Sequence, residues 1–244
     1  MFAAWKKEDD LQAQVEPIQM AILLRASELC TNSSRDKATI DCIWMAFYYL
    51  LRPGEYANAT GDAKHPFRLQ DVGFKIGARS FPQAYLATFD QLLAATLSTL
   101  TFTTQKNGIK GEKLSHSTNG QAEACPVRAT LRRVAHIKAH HAPPTTPLHV
   151  YYDDDGTRRA VSSTMITCLL IPGHAGVHPD QIAARSLRAS GAMALLLAGV
   201  DPDKIHIVGR WRSDAMFRYL HAHAEPLVRG NARLMFSGGH YTLL

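Results

Sequence analysis

The chain has 244 residues, 46% of them hydrophobic, with a formal net charge of +6 and a pI near 9.2. That composition excludes disorder as the main state and favours a polyanionic partner. No apolar run approaches the ~18 to 20 residues of a membrane span, and the opening MFAAWKKEDD lacks the pattern of a secretory signal. The expectation is an intracellular protein with no membrane partner, nuclear if its source is eukaryotic. Cys30, Cys42, Cys125 and Cys168 lie far apart with no C-x-x-C pair, so they read as reduced, mostly buried thiols.

Residues 1–15 are polar and expected to fray, and Pro17 opens a first helix over roughly 17–30. After the loop CTNSSRD, a second helix is predicted over about 36–51, carrying Ile40, Ile43, Trp44, Phe47 and Leu50. Pro53 ends it and leaves Arg52 at a helix C-terminus, where the macrodipole favours a cation whatever its role. Between 66 and 114 the period changes. Val72, Phe74 and Ile76 alternate, then Leu100, Phe102 and Thr104, followed by a K-N-G turn and IKGEKLS. This predicts a small antiparallel sheet, with a helix over about 82–96 between its first strand and the hairpin. Pro126 starts another helix, to about 141, whose exposed side is expected to carry Arg128, Arg132, Arg133, His136, Lys138 and His140. The final third reads as helical, broken at Gly199, at Asp201-Pro202 and at Gly209. With no repeat and no long linker after residue 16, one α+β, mainly helical domain is expected over 16–244.

Several residue groups could carry chemistry. Arg185 and Arg188 in AARSLRAS are three apart, on one side of a helical turn, and two cations placed so repel unless an anion joins them. Two splayed, solvated arginines are the plainer alternative. Lys106 sits beside the turn Asn107-Gly108, a tip from which a lysine can reach into a groove. In GRWRSDAMFRYL, Ser213 can cap a helix whose apolar arc holds Met216, Phe217 and Leu220. Tyr219 falls just outside that arc, with His223 one turn beyond it, where a phenol can be held firmly and still meet a ligand. A core-edge tyrosine with its hydroxyl in water is the alternative. Asp153, Asp154 and Asp155 precede Gly156 and read as a turn. The pairs His136/His140 and His174/His178 have i,i+4 spacing but no third ligand, so neither a metal nor another cofactor is expected.

The order of these groups resembles that of the tyrosine recombinases, or integrases. AFYYLLRPGEY resembles their first arginine box, FTTQKNGIKGEK their lysine hairpin, ARSLRASGAMALL their H-x-x-R box and GRWRSDAMFRYL their nucleophile box. The resemblance covers roughly residues 16–225 and is closest to the recombinases of eukaryotic mobile elements. It implies a mainly helical catalytic domain with a small antiparallel sheet. It also implies that Tyr219 attacks a phosphodiester of double-stranded DNA to give a 3′-phosphotyrosine, within a tetramer assembled on DNA. Arg52 and Arg188 would clamp the nonbridging oxygens, and Lys106 would protonate the departing 5′-oxygen.

The chain departs from the family pattern in four places. Arg185 stands where the family has histidine, and a guanidinium cannot serve as general base. Counting back from Tyr219, Arg210 falls in the register of the family's His or Trp and Trp211 one place later, so both are candidates. The segment from Ser162 to Gln181 is short for the helix expected before the second arginine, and the residues before 16 hold no DNA-clamping domain. Two rival readings stand beside the recombinase: a catalytically impaired DNA-binding protein derived from a mobile-element recombinase, which Arg185 supports, and a type IB topoisomerase-like enzyme.

Overall fold

The computed structural model describes residues 17–58, 66–103, 111–171 and 183–211. Its organising element is α2 (Ser34–Tyr48), in which every residue from Ala38 to Phe47 is buried. A helix that is buried all round belongs at the centre of a domain. Ser33 starts it, its hydroxyl accepting from the Asp36 N–H at 3.1 Å. Around α2 pack α1 (Met20–Leu29), α5 (Pro126–Ala139), α6 (Ser163–Leu170) and α7 (Ser186–Leu197), and α8 (Pro202–Gly209) lies against α7.

Four strands, β1 (Val72–Ile76), β2 (Arg79–Phe81), β3 (Leu97–Phe102) and β4 (Glu112–Ser117), form an antiparallel sheet in the order β2-β1-β3-β4. In β3, Ser98, Leu100 and Phe102 are buried while the residues between them are half-buried, the period-2 pattern of a sheet with one face on a core. The β3–β4 register runs from Leu97 opposite Ser117 to Phe102 opposite Glu112. A separate ribbon pairs β5 (Val150–Tyr152) with β6 (Arg158–Ala160). Asp153 to Gly156 make the turn between them, as expected, with Gly156 at φ 77°. Among the described residues no helix is long and apolar enough to cross a membrane.

The chain differs from its sequence expectations in several places. The helix expected over 82–96 is instead a 3₁₀ turn at Ala84–Leu86 followed by the short α4 (Phe89–Leu93). Thr88 and Gln91 form a reciprocal cap that starts a new helix at Phe89, and the Thr96 N–H is drawn to the Lys75 carbonyl at the sheet. Strand β2 has no hydrophobic pattern and arises from a two-residue turn, Gly77-Ala78, with Gly77 at φ 56°.

Arg133, expected on an exposed face, is 1% exposed. Its guanidinium donates to the Leu148 carbonyl at 3.0 Å and to that of Val150, backbone groups that would otherwise be buried without a donor. All four cysteines are free, but only Cys42 and Cys125 are buried; Cys30 is half-buried and Cys168 exposed. Among the histidine pairs, the His136 and His140 rings lie 4.9 Å apart, and His136 Nε2 accepts the Tyr152 N–H at 3.0 Å. His174 and His178 lie outside the described residues.

The end of α2 sets the position of Arg52. The helix stops at Tyr48, where Leu50 takes a left-handed φ of 49° and the Leu51 N–H reaches back to the Ala46 carbonyl. This is a Schellman closure with leucine in the place that glycine normally holds. Arg52 is therefore not at the C-terminus of α2. It is the N-cap of a one-turn helix, α3 (Pro53–Tyr56), so the macrodipole does not account for its charge.

Candidate functional site

Three arginines from three parts of the chain converge where α2 gives way to α3. Arg52 is fixed by a reciprocal turn: its N–H donates to Glu55 Oε2 at 2.8 Å, and the Glu55 N–H donates to the Arg52 carbonyl at 2.8 Å. Glu55 is buried, and its carboxylate is shared between two cations. Oε1 accepts from Arg52 Nη1 at 3.3 Å and Oε2 from Arg210 Nη2 at 3.1 Å.

Arg188 enters from α7. Gly191 allows that helix to lie close against α2, because a Cβ there would stand 2.2 Å from the Phe47 carbonyl oxygen. Two further bonds hold the start of α7, from the Tyr56 hydroxyl to the Ala184 carbonyl at 2.6 Å and from the Ile18 N–H to Ser190 Oγ at 2.6 Å. Arg188 then donates through Nη1 to the Leu50 carbonyl at 2.7 Å and through Nη2 to the Gly209 carbonyl. Its guanidinium lies 4.1 Å from the Trp211 ring centroid.

Arg210 caps α8 in a left-handed conformation, φ 59°. It turns its side chain inward, with the guanidinium 3.9 Å from the Phe102 ring centroid. Besides Glu55, it donates to the carbonyls of Tyr49, Leu50 and Val208 at 3.3, 3.3 and 3.4 Å. Its own carbonyl accepts from Arg52 Nη2 at 3.4 Å. Gly209 beside it has no room for a side chain, since a Cβ would fall 1.5 Å from the Trp211 ring.

The left-handed Leu50 thus turns its carbonyl toward two guanidinium groups, and Glu55 is bridged by two as well. Two guanidinium groups meet the Glu55 carboxylate, and the Glu112 charge also reaches Arg210. Burial pushes the Arg210 guanidinium below its ordinary range; the Glu55 and Glu112 carboxylates oppose that shift and the Arg52 charge adds to it. Guanidinium groups brought together in this way have the donor geometry that suits an anion.

Of the residues singled out from the sequence, the fold brings Arg52, Arg188, Arg210 and Trp211 together. Arg185 does not join them. It is exposed at the N-cap of α7 while Arg188 is buried, so the two are not a side-by-side pair on one face. Among the described residues Arg185 makes no side-chain hydrogen bond or ion pair. Lys106 and Tyr219 lie outside the described residues, although Phe102, at the end of the strand leading toward Lys106, packs under Arg210. Sequence reasoning missed Leu50, Glu55 and Phe102. Glu55 had a signal: an acid three residues after a candidate N-cap.

No family model and no curated protein matches the chain. Among solved structures, it is similar to the Tn1549 transposon integrase in complex with circular intermediate DNA. The TM-score is 0.51 and the identity 13%, covering 92% of this chain and 66% of that one. A variant of that integrase with transposon right-end DNA compares at 14% identity and a TM-score of 0.48, covering 93% of this chain and 68% of the other. This chain spans just under two thirds of the length of the first structure. The mainly helical body, the small antiparallel sheet and this likeness together give the chain the fold of the integrase catalytic domain.

Proposed function

We propose that the chain is a DNA breaking and rejoining enzyme of the tyrosine recombinase type, with residues 16–244 as one catalytic unit. The observation that carries the proposal is the convergence of Arg52, Arg188 and Arg210 on one cluster of shared acceptors. In this reading Tyr219 attacks the phosphorus of a DNA phosphodiester. The bond to the 5′-oxygen breaks, Lys106 gives that oxygen a proton, and the strand end stays on the enzyme as a 3′-phosphotyrosine. Arg52 and Arg188 meet the nonbridging oxygens, whose charge grows in the transition state. No step requires a metal ion. The substrate is double-stranded DNA, the working form is a tetramer on that DNA, and the kin are recombinases of eukaryotic mobile elements; the site of action is intracellular, and the nucleus if the source is eukaryotic.

The test is a duplex with a nick near the cleavage site, which traps the covalent intermediate, read as a protein–DNA adduct on a denaturing gel. The adduct is expected with the wild type and absent with Tyr219→Phe, which should keep its DNA affinity because a single hydroxyl is lost from a phosphate-binding surface. An adduct that survives Tyr219→Phe would sink the assignment of the nucleophile.

A second reading has its own support. Both terminal nitrogens of Arg188 are engaged with backbone carbonyls, and the residue in the family's histidine position is an exposed arginine that cannot accept a proton. A protein that binds DNA without turning it over fits those facts. It predicts salt-sensitive duplex binding with no adduct from any variant.

A further inference from the structure

Arg210 stands in the register of the family's His or Trp, yet its side chain is 3% exposed and faces the interior. Its Nε is likewise buried, with no hydrogen-bond partner among the described residues. Two of the acceptors it touches are shared with the other members of the cluster: Glu55 with Arg52, and the Leu50 carbonyl with Arg188.

The pairing of Glu55 decides what Arg52 is free to do. A carboxylate buried to 5% exposure needs its lone pairs met. Arg210 at 3.1 Å and the Arg52 N–H at 2.8 Å both meet Oε2, so the Arg52 guanidinium reaches only Oε1. The two contacts left to the Arg52 guanidinium, at 3.3 and 3.4 Å, sit beyond the favoured range for such bonds. At 28% side-chain exposure, Arg52 is also the arginine of the three that solvent reaches.

We infer that Arg210 is a positioning residue, not a phosphate ligand: it occupies Glu55 Oε2, denies Glu55 a two-oxygen grip on the Arg52 guanidinium, and so leaves donors of Arg52 available to an anion such as a DNA phosphate. Only the identity of the anion rests on the proposed function. The availability of Arg52 is a property of the protein alone.

That separation sets the experiment. The full chain is treated with phenylglyoxal, which reacts with accessible guanidinium groups, and modification of Arg52 is followed by peptide mapping while duplex affinity is measured in parallel. In Arg210→Met, Glu55 turns to Arg52, and modification of Arg52 slows about tenfold, the scale of one charge-assisted hydrogen bond. Arg210→Lys, which still neutralises Glu55, stays within about threefold of wild type on the same scale. The double variant Glu55→Gln/Arg210→Met regains wild-type reactivity.

If Arg210→Met melts below the assay temperature, Arg210→Gln keeps a donor toward the Leu50 carbonyl and carries the same expectation. A packing role predicts no rescue by Glu55→Gln. A phosphate-ligand role predicts unchanged Arg52 reactivity with lost duplex binding. Either result overturns the inference. Absence of duplex binding by the wild type would end the DNA reading and leave the modification pattern to decide the role of Arg210.

Discussion

Two groups of arginines in this protein look alike in the sequence and do opposite things in the fold. On α5, each buried or half-buried arginine has its own acceptors. Arg133 takes the carbonyls of Leu148 and Val150, and Arg132 takes Asp41 at 2.7 Å. At the junction of α2, α3, α7 and α8, acceptors are shared: Glu55 serves Arg52 and Arg210, and the Leu50 carbonyl serves Arg188 and Arg210. The first group is balanced and ties helix to strand. The second packs guanidinium groups close enough to compete for the same acceptors, an arrangement that suits a shared anionic ligand. Buried cations alone therefore mark nothing; the sharing of acceptors between guanidinium groups separates the two groups.

The largest effect expected from breaking this contrast lies in the crowded group. Arg188→Ala removes a guanidinium that holds the Leu50 and Gly209 carbonyls together and supports the Trp211 ring. Adduct formation on the nicked duplex should fall by roughly two to three orders of magnitude, the loss seen when one preorganised charge donor is taken from a transition state. Salt-dependent duplex affinity should weaken as well. An adduct yield within about threefold of wild type, well short of that loss, would remove Arg188 from the chemistry.

Arg133→Met sharpens the same contrast from the other side. It strands two buried carbonyls, so a loss of about 2 to 4 kcal/mol is expected in urea or thermal unfolding. The slope of log affinity against log salt should not change, because Arg133 is too deep to meet a phosphate. A reduced slope would place it in the binding surface after all.

Gly209→Ala is expected to act between these two kinds of effect. The new Cβ would displace the Trp211 ring from its place over Arg188 and against Ala192 and Ile205, costing about 1 to 3 kcal/mol. Melting temperature and adduct yield should then fall together. A melting temperature that falls while adduct yield holds would show that Trp211 serves packing alone.

How much of this was legible in the sequence depends on what each residue needed. The central helix, the sheet and its hairpin, and the turn at Asp153 followed from periodicity and turn chemistry, which are local. Arg52, Arg188, Arg210 and Trp211 were found through ordered boxes, without any sign of how they meet. Three features had no local signature. Leu50 holds a left-handed conformation that favours glycine, so nothing about leucine announces it. Arg133 is satisfied by backbone carbonyls, which every sequence contains. The outward apolar residues of 84–93, Leu86, Phe89 and Leu93, imitate a buried helix face. Glu55 was readable from its spacing to Arg52, but only a view of both acceptors shows that it serves two cations.

The smallest effect tests how far the charge of Arg133 is felt by its neighbours. Burial pushes His136 and His149 down to about 4, with Arg133 the next cause for each. Between about 4 and the ordinary value of 6.5 the unfolded chain therefore binds more protons at these two imidazoles than the folded chain does. Stability from these groups is full above about 6.5 and is lost as pH falls toward 4. Asp41 works against that trend, because burial raises its carboxyl to about 6 and the folded state holds its proton between the ordinary 3.8 and that value. Two imidazoles outweigh one carboxyl, so the melting temperature should drop on acidification across this window. His149→Phe should flatten the drop without abolishing it, because the ring is 7% exposed, its Nδ1 has no hydrogen-bond partner among the described residues, and a phenyl fills similar space. His136 keeps the remaining slope through its bond from the Tyr152 N–H, which a protonated ring cannot accept. Melting curves of the two proteins at pH values spanning 4 to 6.5 measure the difference. Parallel curves would mean that His149 does not feel the interior charge that the balanced arginine group places beside it.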